Sequence, residues 1–507
     1  MDDKFYLTTP LYYVNAAPHI GHSYTNIAAD CLARFMRLKG KEVYFLTGTD
    51  EHGQKIFRVA QEEGLSPREF VDKIAPRFVN LWGRLSISYN DFIRTTEERH
   101  KKTVQYVLQI LYEKGDIYLA EYQGWYCTPC ETFWTATQLT SAICPDCKRP
   151  LEELREKNYF FRLEKYRSWL IRFIENHVDF IKPLTRRNEI LKFLESPLTD
   201  LCISRPKTRL EWGIPIPFNA DYVTYVWFDA LVNYISAVGF GQDEGKFKKF
   251  WPADVHIVGK DILRQHTIYW PIILHALGIE PPKTVFAHGW WMMGEGKMSK
   301  SRGNIVDPEE VVSNYGADAY RYFLLREIPF GLDGNFSESA LINRINSDLA
   351  NDLGNLYFRT FGMLEKYFSG KIPEVSSPHK VFKEKLARLP QELVEAMENL
   401  NFQEMLISIW ELVKLTNKFI EDSHPWELAK AKKNTELASF MYNLMEILRI
   451  VTISIFPFMP NSAQKFWQQQ GQEKKLEEVT FSELSQWGLS SPGTKIEKSE
   501  PLFPRIA

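Results

Sequence analysis

Two histidines and two lysines, far apart in the chain, have the types and spacing for phosphate chemistry. His19 and His22 lie in the stretch APHIGHS, and Lys297 and Lys300 lie in the stretch GEGKMSKSRGN. The histidines could be half of a metal site, an ordinary packed or solvated pair, or ligands of another kind. The lysines, on a loop framed by glycines, can bring two positive charges to a chain of phosphates, although a basic surface turn would look the same.

Four of the six cysteines form two Cys-x-x-Cys pairs, which favour a metal site over disulfides. The pairs are Cys127 with Cys130 and Cys144 with Cys147. Four thiolates at this spacing suit tetrahedral zinc, and a site filled by four sulfur ligands is closed and structural. The alternative, two redox-active pairs, needs a thioredoxin-like context that this segment lacks. We therefore expect one structural Zn²⁺ per chain.

The segments around the histidines predict the first strand-to-helix turn of a nucleotide-binding sheet. Residues 4–9 have the pattern of a strand, and apolar residues recur after the histidines at the spacing of one helix face, up to Gly40. Residues 43–47 form a second strand-like run. Strand, helix and strand in this order make a βαβ unit with parallel strands and a right-handed crossover. The histidines then lie at the first turn of a doubly wound parallel sheet.

The rest of the chain divides into an insertion, the second half of the sheet and a helical bundle. Residues 116–225 carry the cysteines and short strand-like segments that contain proline, which suits an insertion. Strand-like runs return at residues 221–228, 255–258 and 284–288, and helical apolar spacing dominates after residue 338. The sequence predicts an α/β protein: a Rossmann-like parallel-sheet catalytic domain, split by a zinc-knuckle insertion and followed by an α-helical bundle.

Net charge and the N-terminal segment restrict the partners and the location. A net charge of −2 argues against non-specific coating of nucleic acid, although residues 182–187 (KPLTRR) and 205–209 (RPKTR) could meet a polyanion locally. The chain opens on a strand-like run without a leader pattern, so we expect a cytoplasmic protein. The most apolar late stretch, residues 447–460, is shorter than the ~20 residues that span a bilayer, and we expect a buried helix end.

Together, the histidine and lysine motifs match the paired HIGH and KMSKS signatures of class I aminoacyl-tRNA synthetases. Over nearly its whole length the chain resembles the methionyl-tRNA synthetase family. The stretches that carry the resemblance are LTTPLYYVNAAPHIGH, TGTDEHGQKI, the cysteine pairs, ISR…WGIPIP, YVWFDALVNYIS, GKDILRQH, GEGKMSKSRGN and LFPRI. The resemblance implies an enzyme that activates L-methionine with ATP and Mg²⁺ to methionyl adenylate and pyrophosphate, then transfers methionine to tRNA(Met).

The resemblance also gives each segment a domain role. It implies a Rossmann catalytic domain whose first half carries HIGH, a connective-peptide insertion with zinc knuckles, the second half of the catalytic domain, a stem-contact region with the KMSKS loop, and a helical anticodon-binding domain. The corresponding ranges are 1–115, 116–225, 226–285, 286–350 and 351–507.

The family's functional residues carry over to matching positions of this sequence. The resemblance implies that catalysis and ATP binding use His19, Gly21, His22, Gly259, Asp261, Lys297 and Lys300. It implies that methionine binds to Leu11, Tyr13, Asp50, Trp227, Ala230, Leu231, Tyr234, Ile262 and His266, with Asp50 holding the ammonium group. It implies that the anticodon is read by Asn355, Arg359, Pro425 and Trp426. Taken singly, the apolar and aromatic members would be core residues as readily as ligands.

One departure from the family pattern and two rival hypotheses remain. Gln265 stands at a position that is often aromatic in the family. The sequence stops after LFPRI, without the oligonucleotide-binding module that dimerises some relatives, so a monomer is expected. One rival is a synthetase for another small apolar amino acid, and the other is a catalytically silent RNA-binding protein descended from a synthetase. The intact HIGH and KMSKS motifs argue against the second.

Overall fold

The N-terminal part of the chain alternates strands and helices, as its apolar pattern predicts. The structure is a computed structural model that describes residues 3–127, 132–134, 139, 141–145, 148–293, 306–497 and 501–506. The first elements are β1 (Lys4–Tyr13), α1 (Ile20–Leu38), β2 (Glu42–Asp50), α2 (Gln54–Glu62), α3 (Pro67–Arg84), β3 (Asp91–Arg94) and α4 (Glu98–Glu113). β1 and β2 are parallel, and α1 crosses between them with Ile27, Cys31 and Phe35 buried. The predicted βαβ unit is confirmed.

The predicted insertion contains two antiparallel sheets. Its elements are β4 (Ile117–Cys127), β5 (Thr132–Trp134), β6 (Glu152–Phe161), α5 (Arg167–Asn176), β7 (Ile181–Lys182), α6 (Leu184–Phe193), β8 (Leu201–Cys202), β9 (Ser204–Pro206), β10 (Pro215–Ile216) and β11 (Asn219–Thr224). One sheet has the order β5-β4-β6-β8 and the other β10-β11-β9. β4, which ends at Cys127, pairs along its length with β6.

The chain then returns to the parallel sheet. The next elements are α7 (Val226–Ser236), α8 (Glu244–Phe250), β12 (Val255–Gly259), α9 (Trp270–Leu277), β13 (Val285–His288) and β14 (Trp291–Met292). The strand predicted over residues 221–228 is wrong in its second half, because α7 begins at Val226. The residues Val226, Trp227 and Phe228 favour strands, but the burial of the helix face that follows decides the outcome.

A six-stranded parallel sheet positions the site, with the order β3-β2-β1-β12-β13-β7. Its two halves meet where β1 pairs with β12. β7 lies within the range predicted for the insertion, yet it pairs parallel with β13 at the edge of this sheet. In such sheets ligands bind beyond the carboxyl ends of the strands where the strand order reverses. Here β1 and β12 mark that place.

The C-terminal part is helical. Its elements are α10 (Pro308–Tyr315), α11 (Ala317–Arg326), β15 (Gly334–Asn335), α12 (Glu338–Arg344), α13 (Asn355–Phe368), α14 (Lys380–Glu398), α15 (Phe402–Ser423), α16 (Pro425–Lys430), α17 (Asn434–Ile455) and α18 (Pro460–Gln469). A π-helical segment, Ile345–Gly354, joins α12 to α13. α17 is long and apolar enough to cross a bilayer, but 89% of its most apolar window is buried in the protein. The predicted buried helix end is confirmed.

A buried ion pair ties α1 to the helical part. Asp30 of α1 and Arg321 of α11 are both fully buried, and their charged atoms lie 2.7 Å apart. Arg321 also donates from Nε to the carbonyl of Phe458, at 2.7 Å, and from Nη2 to that of Pro457, at 2.8 Å. These carbonyls belong to the turn between α17 and α18. The helix that begins in the histidine motif is therefore packed directly on the C-terminal bundle.

Candidate active site

The two motif histidines cap the N-terminus of α1. His19 is the N-cap residue, and its Nδ1 accepts a hydrogen bond from the backbone N–H of Gly21, at 3.1 Å. The Nδ1 of His22 accepts from the backbone N–H of His19, at 3.2 Å. The two rings stack with centroids 3.8 Å apart. The three-residue spacing is thus that of a capping box, in which each side chain satisfies a backbone donor of the first turn.

The protonation state of His22 follows from this geometry. Burial, and then the nearby His19, lower the pKa of His22 well below its ordinary value. A neutral imidazole that accepts at Nδ1 carries its proton on Nε2. That N–H can donate to an anion beside a helix N-terminus, where the helix dipole also favours negative charge.

Gly21 is required by the close approach of the His19 ring. A Cβ at position 21 would lie 2.9 Å from His19 Cε1 and 3.1 Å from His19 Nδ1. Any larger residue would push the ring away from the hydrogen bond that it accepts. The glycine of the motif therefore serves the cap as well as access to the helix end.

A chain of contacts joins α1 to the other predicted nucleotide-binding residues. Thr25 Oγ1 lies 2.8 Å from His288 Nε2, and His288 is the ladder partner of Gly259. A Cβ on Gly259 would lie 2.5 Å from an oxygen of Asp261, which also accepts from Trp290 Nε1, at 3.1 Å. Gly259 and Asp261 thus stand at the carboxyl end of β12, and His288 at the end of β13 links Gly259 to Thr25 in the second turn of α1. Lys297 and Lys300 lie outside the described residues.

The predicted ammonium-binding residue lies beside two predicted pocket residues. Asp50 ends β2 and is the ladder partner of Tyr13, the last residue of β1. Leu11 is the partner of Gly48 on the same ladder and is partly buried. The side chain of Asp50 is shielded from solvent, since this residue is only 5% exposed. A carboxylate so placed at a strand end can pair with a cation in a protected position.

The other pocket residues meet around a buried hydrogen bond. Tyr234 Oη lies 2.7 Å from His266 Nε2, and His266 Nδ1 lies 2.9 Å from the carbonyl of Ile262. Because a carbonyl accepts, Nδ1 carries the proton and Nε2 accepts from Tyr234. Burial lowers the pKa of His266 to about 4, so it is neutral at neutral pH. Leu231 and Tyr234 are buried in one apolar cluster against which Leu11 and Ile262 pack.

Trp227 and Ala230 complete the helix face that the sequence singled out. Both are half-buried on α7, between Tyr225, which occupies the N-cap position, and the buried Leu231. α7 is also tied to β1, since Tyr6 Oη donates to the carbonyl of Tyr234, at 2.7 Å. The predicted methionine residues therefore come from β1, β2, α7 and the segment after β12, all at one edge of the sheet.

Sequence reasoning missed a buried polar cluster next to this pocket. Asp229, on α7, accepts from His52 Nδ1 and from His100 Nε2, each at 2.7 Å. His100 Nδ1 lies 2.9 Å from Ser236 Oγ. A carboxylate inside the apolar stretch of α7 was a visible signal, as was His52 in TGTDEH. His100 is distant in sequence from both, and nothing local marked it.

Backbone hydrogen bonds pair the chain with itself beside two of the four motif cysteines. Cys127 is the ladder partner of Thr132, and Cys144 N–H donates to the carbonyl of Arg149, at 2.8 Å. Lys148, in the left-handed region with φ 61°, donates to the carbonyl of Cys144, at 2.9 Å. Cys127 and Cys144 are both buried, in one small cluster. Within the described residues there is no group of three metal ligands, and the predicted ligands Cys130 and Cys147 lie outside them.

The predicted anticodon residues lie on two helices of the bundle. Asn355 and Arg359 are one turn apart on α13, with Asn355 exposed. Arg359 Nη1 lies 3.9 Å from Glu421, near the end of α15, which leads into α16. Pro425 is buried at the start of α16, and the next residue, Trp426, is 50% exposed. An aromatic ring left half in solvent is available for stacking on a base.

Comparisons with known proteins agree on one family. Residues 5–361 match the family tRNA synthetases class I (M), and residues 379–500 match the anticodon-binding domain of tRNA ligase. The chain is 53% identical to methionine–tRNA ligase of Caldanaerobacter subterraneus subsp. tengcongensis, over 100% of this chain and 79% of that protein. It is 50% identical to methionine–tRNA ligase of Clostridium acetobutylicum, over 99% of this chain and 78% of that protein.

Solved structures lead to the same family. Mycobacterium tuberculosis methionyl-tRNA synthetase in complex with methionyl-adenylate is 38% identical, with a TM-score of 0.94 over 99% of this chain and 100% of that chain. The apo form of the same synthetase is 35% identical, with a TM-score of 0.87 over 99% of this chain and 98% of that chain. The chain therefore belongs to the methionine–tRNA ligase family of class I tRNA synthetases.

Proposed function

We propose that this protein activates L-methionine with ATP, releasing pyrophosphate, and then transfers the methionyl group from methionyl adenylate to a hydroxyl at the 3′ end of tRNA(Met), releasing AMP. The observation that carries this proposal is the HIGH capping box of α1, which faces the carboxyl edge where β1 meets β12. Family membership over the whole chain supports the same reaction. We also propose that the enzyme works in the cytoplasm, where tRNA and ATP are both found.

In the first step the residues around α1 stabilise phosphate. The methionine carboxylate attacks the α-phosphorus of ATP, a new oxygen–phosphorus bond forms, and the bond to pyrophosphate breaks. His22 Nε2–H and the backbone donors of the α1 N-terminus would hold phosphate oxygens, and Asp261 would accept from ribose hydroxyls. From their place in KMSKS, Lys297 and Lys300 would add positive charge as it builds up in the transition state. Mg²⁺ bound with ATP would neutralise part of the phosphate charge.

Methionine would be held at both ends. Asp50 would pair with the ammonium group, while Leu11, Tyr13, Trp227 and Leu231 would surround the thioether, which packs well against aromatic edges. Ala230, Tyr234, Ile262 and His266 would complete this pocket. Both ring nitrogens of His266 are already hydrogen-bonded, one to Tyr234 and the other to the backbone. His266 and Tyr234 would therefore fix the shape of the pocket rather than donate a hydrogen bond to the substrate.

The reaction and its rival are tested by ATP–pyrophosphate exchange with each of the twenty amino acids. We expect the highest exchange with methionine, by a margin that is limited for near-isosteres because a missing methylene costs only about 1–3 kcal/mol in an apolar pocket. Selective exchange with another small apolar amino acid would replace the proposed substrate. Failure with every amino acid, in zinc-loaded protein, would favour the silent RNA-binding alternative.

We propose that one structural Zn²⁺ is held by Cys127, Cys130, Cys144 and Cys147. The closed hydrogen-bonded turn at Cys144 and the burial of Cys127 beside it support this site. Sulfur in all four positions leaves no room for substrate water, so the metal would stabilise the β5-β4-β6-β8 sheet.

Cys144→Ser should lose the zinc that the wild-type protein binds. Elemental analysis is expected to find about one zinc per chain in the wild type and well under half of that in the variant, because a hydroxyl is a poor zinc ligand. Limited proteolysis should then cut the variant within residues 116–160. Cys202→Ser is the matched control, since Cys202 is a buried thiol on β8 of the same sheet. Equal zinc loss in both variants would contradict the assignment.

The boundaries of the domains and the monomeric state stay predictions. In the proposed arrangement the bundle reads the anticodon with Asn355, Arg359, Pro425 and Trp426, while the region that carries KMSKS contacts the tRNA stem. Arg359, held near Glu421, would present its guanidinium beside the stacking ring of Trp426. Sedimentation of the purified chain would measure the oligomeric state.

A further inference from the structure

A buried carboxylate joins three elements around the methionine pocket. Asp229 has no exposed surface and follows the pocket residue Trp227 by two positions on α7. Its Oδ2 accepts from His52 Nδ1, and its Oδ1 accepts from His100 Nε2, each at 2.7 Å. His52 is two residues beyond Asp50, and His100 belongs to α4. One side chain thus connects the pocket helix, the segment that carries Asp50, and the helix behind them.

Other contacts hold the same segment from the opposite side. The Glu51 carboxylate accepts from Arg94 Nε, at 2.6 Å, and the Glu51 backbone N–H donates to Thr95 Oγ1, at 2.9 Å. Trp212 Nε1 donates to the carbonyl of Glu51, at 2.6 Å. These bonds fix the segment to the end of β3 and to the insertion. None of these bonds connects the segment to α7. The hydrogen bond between His52 and Asp229 makes that connection.

The charge state of Asp229 makes this link strong. Burial alone would raise the pKa of its carboxyl group, but His52 and His100 outweigh burial and lower it to about 2. The group is therefore a carboxylate at neutral pH, and each ring N–H donates to a charged acceptor. Both oxygens are taken up by histidines, so the carboxylate is not oriented to receive the substrate ammonium itself.

We propose that Asp229 is a positioning residue that fixes the carboxylate of Asp50 relative to α7, and so sets the distance between the ammonium site and the thioether pocket. The proposal rests on the proposed role of Asp50 in binding the ammonium group. An amino acid held at both ends is sensitive to this distance, because its ammonium and its side chain are joined by a short, fixed set of bonds. A ligand without the ammonium group is not sensitive to this distance.

Asp229→Asn tests the link with little change in size. The amide nitrogen cannot accept from a ring N–H, so one histidine contact is lost. In pyrophosphate exchange, KM for methionine should rise about 10- to 100-fold, since a displacement of the order of 1 Å can cost about 100-fold. KM for ATP should stay within about twofold of the wild-type value, because the predicted ATP residues that the structure describes lie at the N-terminus of α1 and the end of β12.

Two inhibitors separate positioning from general loosening of the pocket. L-Methioninol carries the ammonium group and the thioether, and 4-(methylsulfanyl)butan-1-ol is the same alcohol without the amine. Asp229→Asn should weaken inhibition by methioninol about as much as it raises KM for methionine, and should leave the deamino alcohol unchanged. Equal weakening of both inhibitors would overturn the proposal, because it would mean that Asp229 only supports the apolar pocket.

Two control variants make the result specific. Glu446→Gln changes a buried carboxylate of similar kind, bonded to Arg449 and to the backbone of Ser490 in the bundle, and should not alter KM for methionine. Asp50→Asn should show the ammonium-specific loss. If it does and Asp229→Asn does not, the positioning role fails while the role of Asp50 stands. If Asp50→Asn shows no such loss, both fail.

Variants of His52 keep the test decisive if Asp229→Asn does not fold. In His52→Asn the amide nitrogen can take the place of Nδ1 and donate to Asp229, whereas in His52→Leu no donor remains. The asparagine variant should retain the preference for methioninol over the deamino alcohol, and the leucine variant should lose it. Loss of the preference in both variants, or in neither, would overturn the proposal.

Discussion

Asp50→Asn should lower kcat/KM for methionine by about 30-fold or more in ATP–pyrophosphate exchange. Asp50 is nearly closed off at the end of β2, beside Tyr13, and asparagine keeps its shape while removing the charge. Truncating one partner of a buried, hydrogen-bonded charge pair costs about 2–5 kcal/mol, and about 1.4 kcal/mol is tenfold. The variant leaves the methionine ammonium desolvated without its counter-charge, so we expect the loss to appear mainly in KM.

The matched control for Asp50 lies at the other end of the same sheet. Asp254 precedes β12, and its carboxylate accepts from the backbone N–H of Tyr6, at 2.7 Å. Asp254→Asn removes a charge from the amino edge of the sheet, so KM for methionine should stay near the wild-type value even if the protein melts at a lower temperature. An Asp50→Asn enzyme with unchanged KM for methionine, or with an equal rise in KM for ATP, would contradict the assignment.

Local signals in the sequence were enough to predict the fold and to place the HIGH motif at a strand-to-helix turn. HIGH lies between a strand and an amphipathic helix, and each of these can be identified within a few residues. What the sequence could not show is how the two histidines act together, because the capping box and the ring stacking depend on side-chain conformations. The placement of β7 was equally hidden, since a two-residue strand has no periodicity and only its neighbour β13 makes it part of the sheet.

The proposed methionine pocket illustrates the same limit at the level of single residues. Its members could be named only from motif resemblance, since Leu231 or Tyr234 alone would pass for ordinary core residues. The helix that carries them was partly mistaken for a strand, because Val226, Trp227 and Phe228 favour strands locally. The supporting contacts of Asp229 come from His52 and His100, which lie 177 and 129 positions away in the sequence. Such contacts follow from the packing of helices on the sheet, which no local pattern encodes.

Trp426→Ala should lower kcat/KM for tRNA(Met) in aminoacylation by about 10- to 100-fold and leave methionine-dependent pyrophosphate exchange unchanged. The ring is half in solvent at the start of α16, far along the chain from the sheet, and stacking on one unpaired base contributes about 1–3 kcal/mol. Because the loss is one of tRNA binding energy, the adenylation step, which needs no tRNA, has no reason to change. Parallel assays of the two partial reactions measure the difference.

A second change on the tRNA side identifies what Trp426 contacts. Anticodon bases are replaced one at a time in tRNA(Met), and the wild type and Trp426→Ala are compared on each transcript. The effects of the protein and RNA changes should be non-additive for the base that stacks on the ring, and additive for bases that do not touch it. Val375→Ala, at a similarly exposed position of the bundle, should be near wild type on all transcripts. Additive effects at every base, or an equal fall in pyrophosphate exchange, would show that Trp426 supports the fold and does not read the anticodon.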